Sequence, residues 1–266
     1  SNVVRGVVPA FIHLYSRSSL YDRDYNVRAG FNRTLKALVK AVPRAFLKRM
    51  ACVLGAWWSS MSDPSSEAAA AATQALADLL PTEDEKSKVL AQHLGDLCAH
   101  LEDALGLTPQ ALVEARLCAE ADSGETLIRL HVSTLDSIRR LVGSVGSKDP
   151  TSCDTSGPLP SLLERAFLCL EAKASQVRQA AYQVVRAVCS VKDLVTHQEA
   201  AIAPILIKTC LDESHATNLT PAWTCLLEFL HACPSAWNHV NCNKAVFPKL
   251  LALLRSGSVP GSGVLP

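Results

Sequence analysis

Apolar residues recur at intervals of three and four along almost the whole chain, and no other feature constrains the fold as strongly. Leu35, Leu38, Val39 and Val42 illustrate the pattern, because this spacing places all four on one face of a helix. Breakers such as Pro204 and Pro221 are expected to divide these runs into helices of ordinary length. Aromatic residues make up only 5% of the chain, which disfavours strands. The sequence predicts an all-α protein of roughly a dozen helices.

Short turns between the predicted helices indicate helical hairpins, which bury their apolar faces by stacking on neighbouring hairpins. Val27-Arg28-Ala29 and Val177-Arg178 each begin a predicted helix, and this start is typical of the second helix of a HEAT repeat. The valine packs inward, while the arginine is expected to pair with an acid in a turn of its own or the adjacent repeat. We therefore expect a HEAT/ARM-like helical-repeat solenoid, elongated and curved.

The chain is expected to form a single HEAT-repeat domain over residues 1–266, with sub-arrays at about 3–142 and 161–255. Residues 143–160 are small, polar and rich in breakers, and they predict a long, flexible, exposed loop between the sub-arrays. Within the first sub-array, Asp63 followed by Pro64 and Glu67 predicts a capped helix start.

Composition narrows the class of protein and its compartment. Lys and Arg number 26 against 25 Asp and Glu, so the chain lacks the overall basic excess of a dedicated nucleic-acid binder. The ten cysteines contain no CxxC pair and lie mostly among apolar residues, which indicates buried thiols in a reducing compartment. The sequence contains neither a signal-peptide layout nor an apolar run of transmembrane length. We expect a cytosolic or nuclear, monomeric protein without a membrane segment.

Residue patterns for catalysis, metal binding and nucleotide binding are missing from the sequence. Cys98 and His100 are close, but an offset of two places them on different helix faces, and we expect a core cysteine and a surface histidine. Cys225 to Cys242, with His231 and His239, has irregular spacing for zinc. Neither a nucleophile elbow nor a phosphate-binding glycine loop is found. We predict no catalytic, cofactor-binding or metal-binding residues.

One local asymmetry is basic. Arg33, Lys36, Lys40 and Arg44 follow a spacing of three, four and four, so a continuous helix would align them in one stripe, and Lys48 extends the series. Such a stripe could contact the phosphates of RNA or an acidic protein surface. An ordinary solvated helix face is the alternative, and the sequence leaves both open.

Tryptophans recur at four positions. Trp57 and Trp58 end an apolar helix, and Trp223 and Trp237 lie among leucines and phenylalanines. We expect all four to pack in the core or between repeats rather than to form a binding hot spot.

Two blocks of sequence carry a family resemblance. The first, residues 19–97, contains the run Leu-Tyr-Asp-Arg-Asp-Tyr-Asn-Val-Arg at 20–28. The second contains Pro-Ala-Trp at 221–223, Ala-Trp-Asn-His-Val-Asn at 236–241 and Lys-Ala-Val-Phe-Pro-Lys-Leu at 244–250. These blocks resemble the N-terminal region of the listerin family, the RING-type E3 ubiquitin ligases of ribosome-associated quality control.

The resemblance implies a HEAT-repeat region that docks on the 60S ribosomal subunit, through rRNA and ribosomal proteins, and on the partner that senses peptidyl-tRNA. It also implies a RING domain outside this chain, which would hold zinc and recruit the ubiquitin-conjugating enzyme. The role expected for this chain is to position the ligase for ubiquitination of stalled nascent chains. A different class of protein remains as the alternative: a generic HEAT scaffold, such as a transport adaptor or a tubulin-binding module.

Overall fold

The computed structural model describes residues 2–146 and 157–256, and these residues form helices and turns without any strand. The all-α prediction is therefore confirmed. The chain divides into two compact units, Ser1–Ser137 and Ile138–Pro266. The division falls inside a helix rather than in the predicted loop.

Unit 1 (Ser1–Ser137) begins with helical hairpins. Its helices are α1 (Asn2–Tyr21), α2 (Tyr25–Ala41), α3 (Pro43–Leu47), α4 (Met50–Ser60), α5 (Ser66–Leu79), α6 (Glu83–Gln92), α7 (Leu94–Leu105), α8 (Pro109–Glu114) and the first part of α9 (Ser123–Gly146).

Helices α1, α4 and α7 pack in order and form one layer, while α2 packs along α5 in a second layer. The contact between α2 and α5 is the most extensive helix pairing in unit 1. Helix α5 faces the interior with Ala68, Ala72 and Ala75, all fully buried, and these small side chains let the two helix backbones approach closely. This layering of helical hairpins confirms the helical-repeat prediction.

The last segment of unit 1 returns to the beginning of the chain instead of stacking only on its nearest neighbour. Arg17 donates to the carbonyl oxygen of Arg116, and Arg23 pairs with Asp122 at 2.7 Å, both across 99 residues of sequence. Trp58 on α4 donates through Nε1 to the carbonyl oxygen of Ser137 at 3.0 Å. The segment between α8 and α9 is therefore held to the end of α1 and the turn after it, and α9 is held to α4, by long-range contacts that a strictly linear repeat array lacks.

Arg28 ties the turn before α2 to the turn before α5. Its Nε and Nη2 donate to the two carboxylate oxygens of Asp63 at 2.7 and 3.1 Å, and its Nη1 donates to the carbonyls of Asp22 and Arg23. Both side chains of the pair are only 4% exposed. The predicted pairing of this arginine with a turn acid is confirmed. The cap prediction was wrong in one detail: Ser65, not Asp63, caps α5, and Asp63 instead accepts from the amide of Ser65.

Unit 2 (Ile138–Pro266) repeats this design. Its helices are the remainder of α9, α10 (Pro158–Leu168), α11 (Ser175–Cys189), α12 (Lys192–Asp212), α13 (Ala216–Ala232) and α14 (Phe247–Ser256), with 3₁₀ turns at Cys169–Glu171 and Pro234–His239 and a π turn at Cys242–Val246. Helix α10 packs on α12, and α11 packs on α13. Arg178 makes a bidentate pair with Glu213, at 2.9 and 2.6 Å, and also donates to the carbonyls of Ala172 and Lys173.

Two sequence predictions about breakers needed correction. Pro204 and Pro221 lie inside α12 and α13 rather than ending helices. An internal proline costs a helix about 3 kcal/mol, and the packing of the buried faces of α12 and α13 outweighs that cost. The ends of the predicted loop are also helical, because α9 continues to Gly146 and α10 begins at Pro158; residues 147–156 lie outside the described part.

Candidate partner-binding surface

Three of the five predicted binding residues lie on α2 and face the neighbouring helix α5. Arg33 pairs with Glu67, Lys36 donates to the side-chain oxygen of Gln74, and Lys40 lies 3.5 Å from Asp78. The Arg33 and Lys40 side chains are 61% and 59% exposed, so both pairs are solvated. These three contacts form a ladder between α2 and α5. Acidic and amide side chains of α5 therefore already engage the basic residues on this face of α2.

Arg44 and Lys48 are not on the same helix as the other three. Helix α2 ends at Ala41, Pro43 begins the short helix α3, and Lys48 forms the C-cap of α3. A single five-residue stripe on one helix is therefore not formed, because Pro43 stops α2. Within the described residues, Arg44 and Lys48 have no carboxylate partner, and both are exposed. They are the members of the set whose charge stays available to a partner.

Charge is strongly segregated within unit 1. Residues 1–50 contain ten Lys and Arg against two Asp, a net charge of +8. Residues 51–137 contain four Lys and Arg against 14 Asp and Glu, a net charge of −10. The ion pairs of Arg23, Arg28, Arg33 and Lys40 all join the first segment to the second. Part of the basic excess is thus complementary to the acidic segment, and its unpaired members can reach a partner without first giving up an ion pair.

Unit 2 also exposes several large apolar side chains. Trp237 is 39% exposed, and Phe247 and Leu251, one turn apart on α14, are about half exposed at 52% and 50%. Trp57 and Trp58 are buried as predicted, and Trp223 is half-buried. Of the two alternatives predicted for Trp237, packing in the core is not what the structure shows, because this residue lies partly exposed in the 3₁₀ turn Pro234–His239.

The described residues contain no cluster of side chains suited to a metal ion. Across residues 2–146 and 157–256, no group of three or more His, Cys, Asp and Glu is placed to hold a metal ion. Burial raises the pKa of Cys98 to about 11 and that of Cys210 to about 12, which keeps these thiols protonated and unreactive. His100 is not the surface residue predicted: it packs against Gly55, and burial lowers its pKa.

None of the helices in the described part of the chain is both long and apolar enough to cross a bilayer.

Sequence reasoning missed the acidic partners of the basic residues. Glu67 and Asp78 on α5 follow Arg33 and Lys40 by 34 and 38 residues, close to the 35 residues that separate Arg28 from Asp63. A repeat of about 35 residues would have predicted that α5 lies beside α2, with Glu67 next to Arg33 and Asp78 next to Lys40. Nothing in the local sequence of α2 reveals the pairing.

Comparisons with known proteins identify the chain's relatives. The family model of the N-terminal domain of the E3 ubiquitin-protein ligase listerin matches residues 1–263. The chain is 27% identical to listerin of Gallus gallus over 261 residues and 26% identical to listerin of Mus musculus over 260 residues. Each match covers 97% of this chain and 14% of the relative.

A designed armadillo repeat protein was also found among solved structures. The match covers 83% of this chain and 99% of that protein, with 13% identity and a TM-score of 0.27. The family assignment rests on the sequence matches, which extend over nearly the whole chain. The chain therefore belongs to the listerin family, within which it corresponds to the N-terminal domain.

Proposed function

We propose that this chain is the ribosome-docking domain of a listerin-type E3 ubiquitin ligase, and that it positions the ligase on stalled 60S subunits. One observation carries the proposal: the match to the N-terminal domain of listerin extends over residues 1–263. Because the chain spans about one seventh of the length of its curated relatives, ubiquitin transfer is assigned to parts of the protein outside it. A zinc-binding RING domain there would recruit the ubiquitin-conjugating enzyme.

The partners proposed are the 60S subunit and the protein that senses peptidyl-tRNA on it, in the cytosol. A particle coated with rRNA phosphates attracts exposed cations, and each cation that contacts a phosphate adds to the salt dependence of binding. Arg44 and Lys48 meet this requirement because they are exposed and lack a carboxylate partner in the described structure. Arg33, Lys36 and Lys40 remain candidates, but each must exchange a partner on α5 for a phosphate.

A generic HEAT scaffold, such as a transport adaptor or tubulin-binding module, remains the second candidate. The observation that favours it is the exposure of Trp237, Phe247 and Leu251 in unit 2. Large exposed apolar side chains are typical of protein–protein contacts, whose affinity depends far less on salt than phosphate contacts do. Salt dependence therefore separates the two candidates.

The test is co-sedimentation of the purified chain with 60S, 40S and 80S particles over a salt series, with and without the peptidyl-tRNA-sensing partner. We expect selective binding to 60S that weakens steeply as salt rises. Binding that does not weaken as salt rises would contradict docking through phosphates. Equal binding to all three particles would contradict selectivity for the 60S subunit. Absence of binding to any particle would favour the scaffold.

Two charge reversals locate the contact. Arg44→Glu with Lys48→Glu changes unpaired cations, whereas Lys36→Glu with Lys40→Glu makes the same change in charge at positions already engaged by α5. If the unpaired cations bind phosphate, the first variant loses most of its binding and its salt slope falls by about 1.4 to 2, and the second variant loses less. Equal binding by both variants and the unchanged chain would move the site elsewhere on the molecule.

A further inference from the structure

A groove opens in unit 1 between α8, the 3₁₀ turn Glu120–Asp122 and the first turn of α9. Its volume is about 280 Å³. It is lined by Pro109, Gln110, Val113, Glu114, Glu120 and Ser123. This size approaches the lower end of the range for sites that hold a small ligand or a single large side chain.

The lining combines apolar walls with uncompensated negative charge. Pro109 and Val113 supply the apolar surface, and Glu114 and Glu120 supply two exposed carboxylates. Neither carboxylate has an ion-pair partner among the described residues, whereas the neighbouring Asp122 is paired with Arg23 at 2.7 Å. The groove therefore offers an aliphatic surface next to two carboxylates that are free to accept hydrogen bonds.

The walls of the groove are held in place without a ligand. Thr108 caps α8 by accepting from the amide of Ala111, and Leu112 anchors α8 in the core with no exposed surface. On the other side, the Ser123 hydroxyl donates to the carbonyl of Glu120 at 2.7 Å. Arg17 holds the intervening segment through the carbonyl of Arg116. A preformed groove loses little entropy when a ligand enters it.

Charge decides what kind of ligand fits. The two carboxylates of the groove, Glu114 and Glu120, would repel an RNA phosphate here. A side chain with a long aliphatic stem and a cationic end matches both the apolar walls and the carboxylates, and this describes Lys and Arg. The geometry points to a docking groove for a Lys- or Arg-bearing protein segment.

This inference deepens the proposed function by giving unit 1 two faces with different partners. The unpaired cations Arg44 and Lys48 face RNA, and the groove between α8 and α9 receives a basic segment of a protein. It rests on the proposed function only for the identity of the protein that supplies the segment. Recognition of a basic side chain is a property of the groove itself.

The experiment is fluorescence anisotropy of a fluorescein-labelled Lys-rich peptide with the full chain at moderate ionic strength. A peptide of equal length with Glu in place of Lys is the charge control. The test variant is Glu114→Gln with Glu120→Gln, which keeps side-chain size and removes both groove carboxylates. Its matched control is Glu83→Gln with Asp84→Asn on α6, which removes the same charge from unit 1 outside the groove.

We expect the Lys-rich peptide to bind the unchanged chain and the α6 variant alike, and the groove variant about ten-fold more weakly, the equivalent of about 1.4 kcal/mol. The Glu-rich peptide should not distinguish the groove variant from the unchanged chain. An equal loss in both variants would mean general attraction to an acidic surface and would overturn the groove. Absence of binding to the unchanged chain would also overturn it. Because no ribosome is present in this assay, its failure is distinguishable from failure of ribosome docking, which sedimentation reports.

Discussion

The same arginine clamp occurs in both units, but its surroundings differ. Arg28 and Arg178 each bind a carboxylate 35 residues later with two nitrogens, and each uses the third nitrogen for two carbonyls of the preceding turn. In unit 1 the carboxylate of Asp63 is 4% exposed and Arg28 equally so. In unit 2 Glu213 is fully buried, while Arg178 is 18% exposed.

The difference lies in what surrounds each carboxylate. In unit 2, Tyr182 and Asn218 also donate to Glu213, and both come from the helices that the clamp joins. In unit 1, Arg129 of α9 approaches the clamp and donates to the carbonyl of Asp22 at 3.4 Å; burial, followed by the nearby charge of Arg28, lowers its pKa to about 10. The Val-Arg pairs at 27–28 and 177–178 place the clamp arginine in both units. In unit 1, the packing of α9 near the Arg28–Asp63 pair adds to the burial of that pair.

Removing the clamp arginine should have the largest effect, and the effect should be greater in unit 1. Arg28→Ala leaves Asp63 as a buried carboxylate without its bidentate partner, which costs about 3–5 kcal/mol. Arg178→Ala should cost roughly 1–3 kcal/mol, because Glu213 keeps the hydrogen bonds of Tyr182 and Asn218. Urea unfolding followed by circular dichroism measures both. Equal losses of unfolding free energy in Arg28→Ala and Arg178→Ala would show that the packing of α9 does not strengthen the Arg28–Asp63 pair.

The acid stability of unit 2 should depend on Glu213. Burial alone would raise its pKa, but hydrogen bonds from Arg178, the His215 amide and Asn218 outweigh burial and lower the pKa from 4.5 to about 2. A lowered folded-state pKa stabilises the fold above pH 4.5, and this contribution of about 3 kcal/mol is lost as the pH falls from 4.5 toward 2. Glu213→Gln should remove that part of the pH dependence. If the Glu213→Gln variant lost unfolding free energy between pH 4.5 and 2 as steeply as the unchanged chain does, this role of Glu213 would be contradicted.

One buried tyrosine in each unit allows a second comparison, with smaller expected changes in unfolding free energy. Tyr182 donates to the charged Glu213 at 3.1 Å, whereas Tyr15 in unit 1 donates to the neutral amide oxygen of Asn32 at 2.8 Å. Tyr182→Phe should therefore cost about 1.5–3 kcal/mol and Tyr15→Phe about 0.5–1.5 kcal/mol. Both substitutions keep the ring, so each serves as the other's control in thermal unfolding. The reverse order would mean that the acceptor's charge does not govern these bonds.

The solvated ladder between α2 and α5 should have the smallest effect. Arg33→Gln or Lys40→Gln removes an exposed ion pair, and such pairs contribute about 0–1 kcal/mol. The difference should shrink further as salt is added. A loss above about 2 kcal/mol in either variant would show that the ladder, rather than the buried clamp, holds α2 to α5.

How much could be predicted from sequence differs between the fold and the binding surface. The spacing of apolar residues predicted the helices, and Val-Arg at 27–28 and 177–178 predicted both clamps, because these signals depend on residues within one or two turns of each other. Pro204 and Pro221 were wrongly expected to end helices, and the partial exposure of Trp237 was not expected. Helix continuity and burial at these positions depend on neighbouring elements of the fold. The basic stripe at Arg33, Lys36, Lys40, Arg44 and Lys48 stays a prediction.

The sequence by itself determined the all-helical class, the repeat register and the listerin relationship, because periodicity, capping and family-typical runs are local properties of the chain. The tertiary structure alone decided which charges remain available. Glu67 and Asp78 lie beside Arg33 and Lys40 only because α2 and α5 stack, and Glu114 and Glu120 line one groove only because the chain between α8 and α9 folds back on itself. Pairing of charges depends on distances between residues far apart in sequence, and only folding sets those distances.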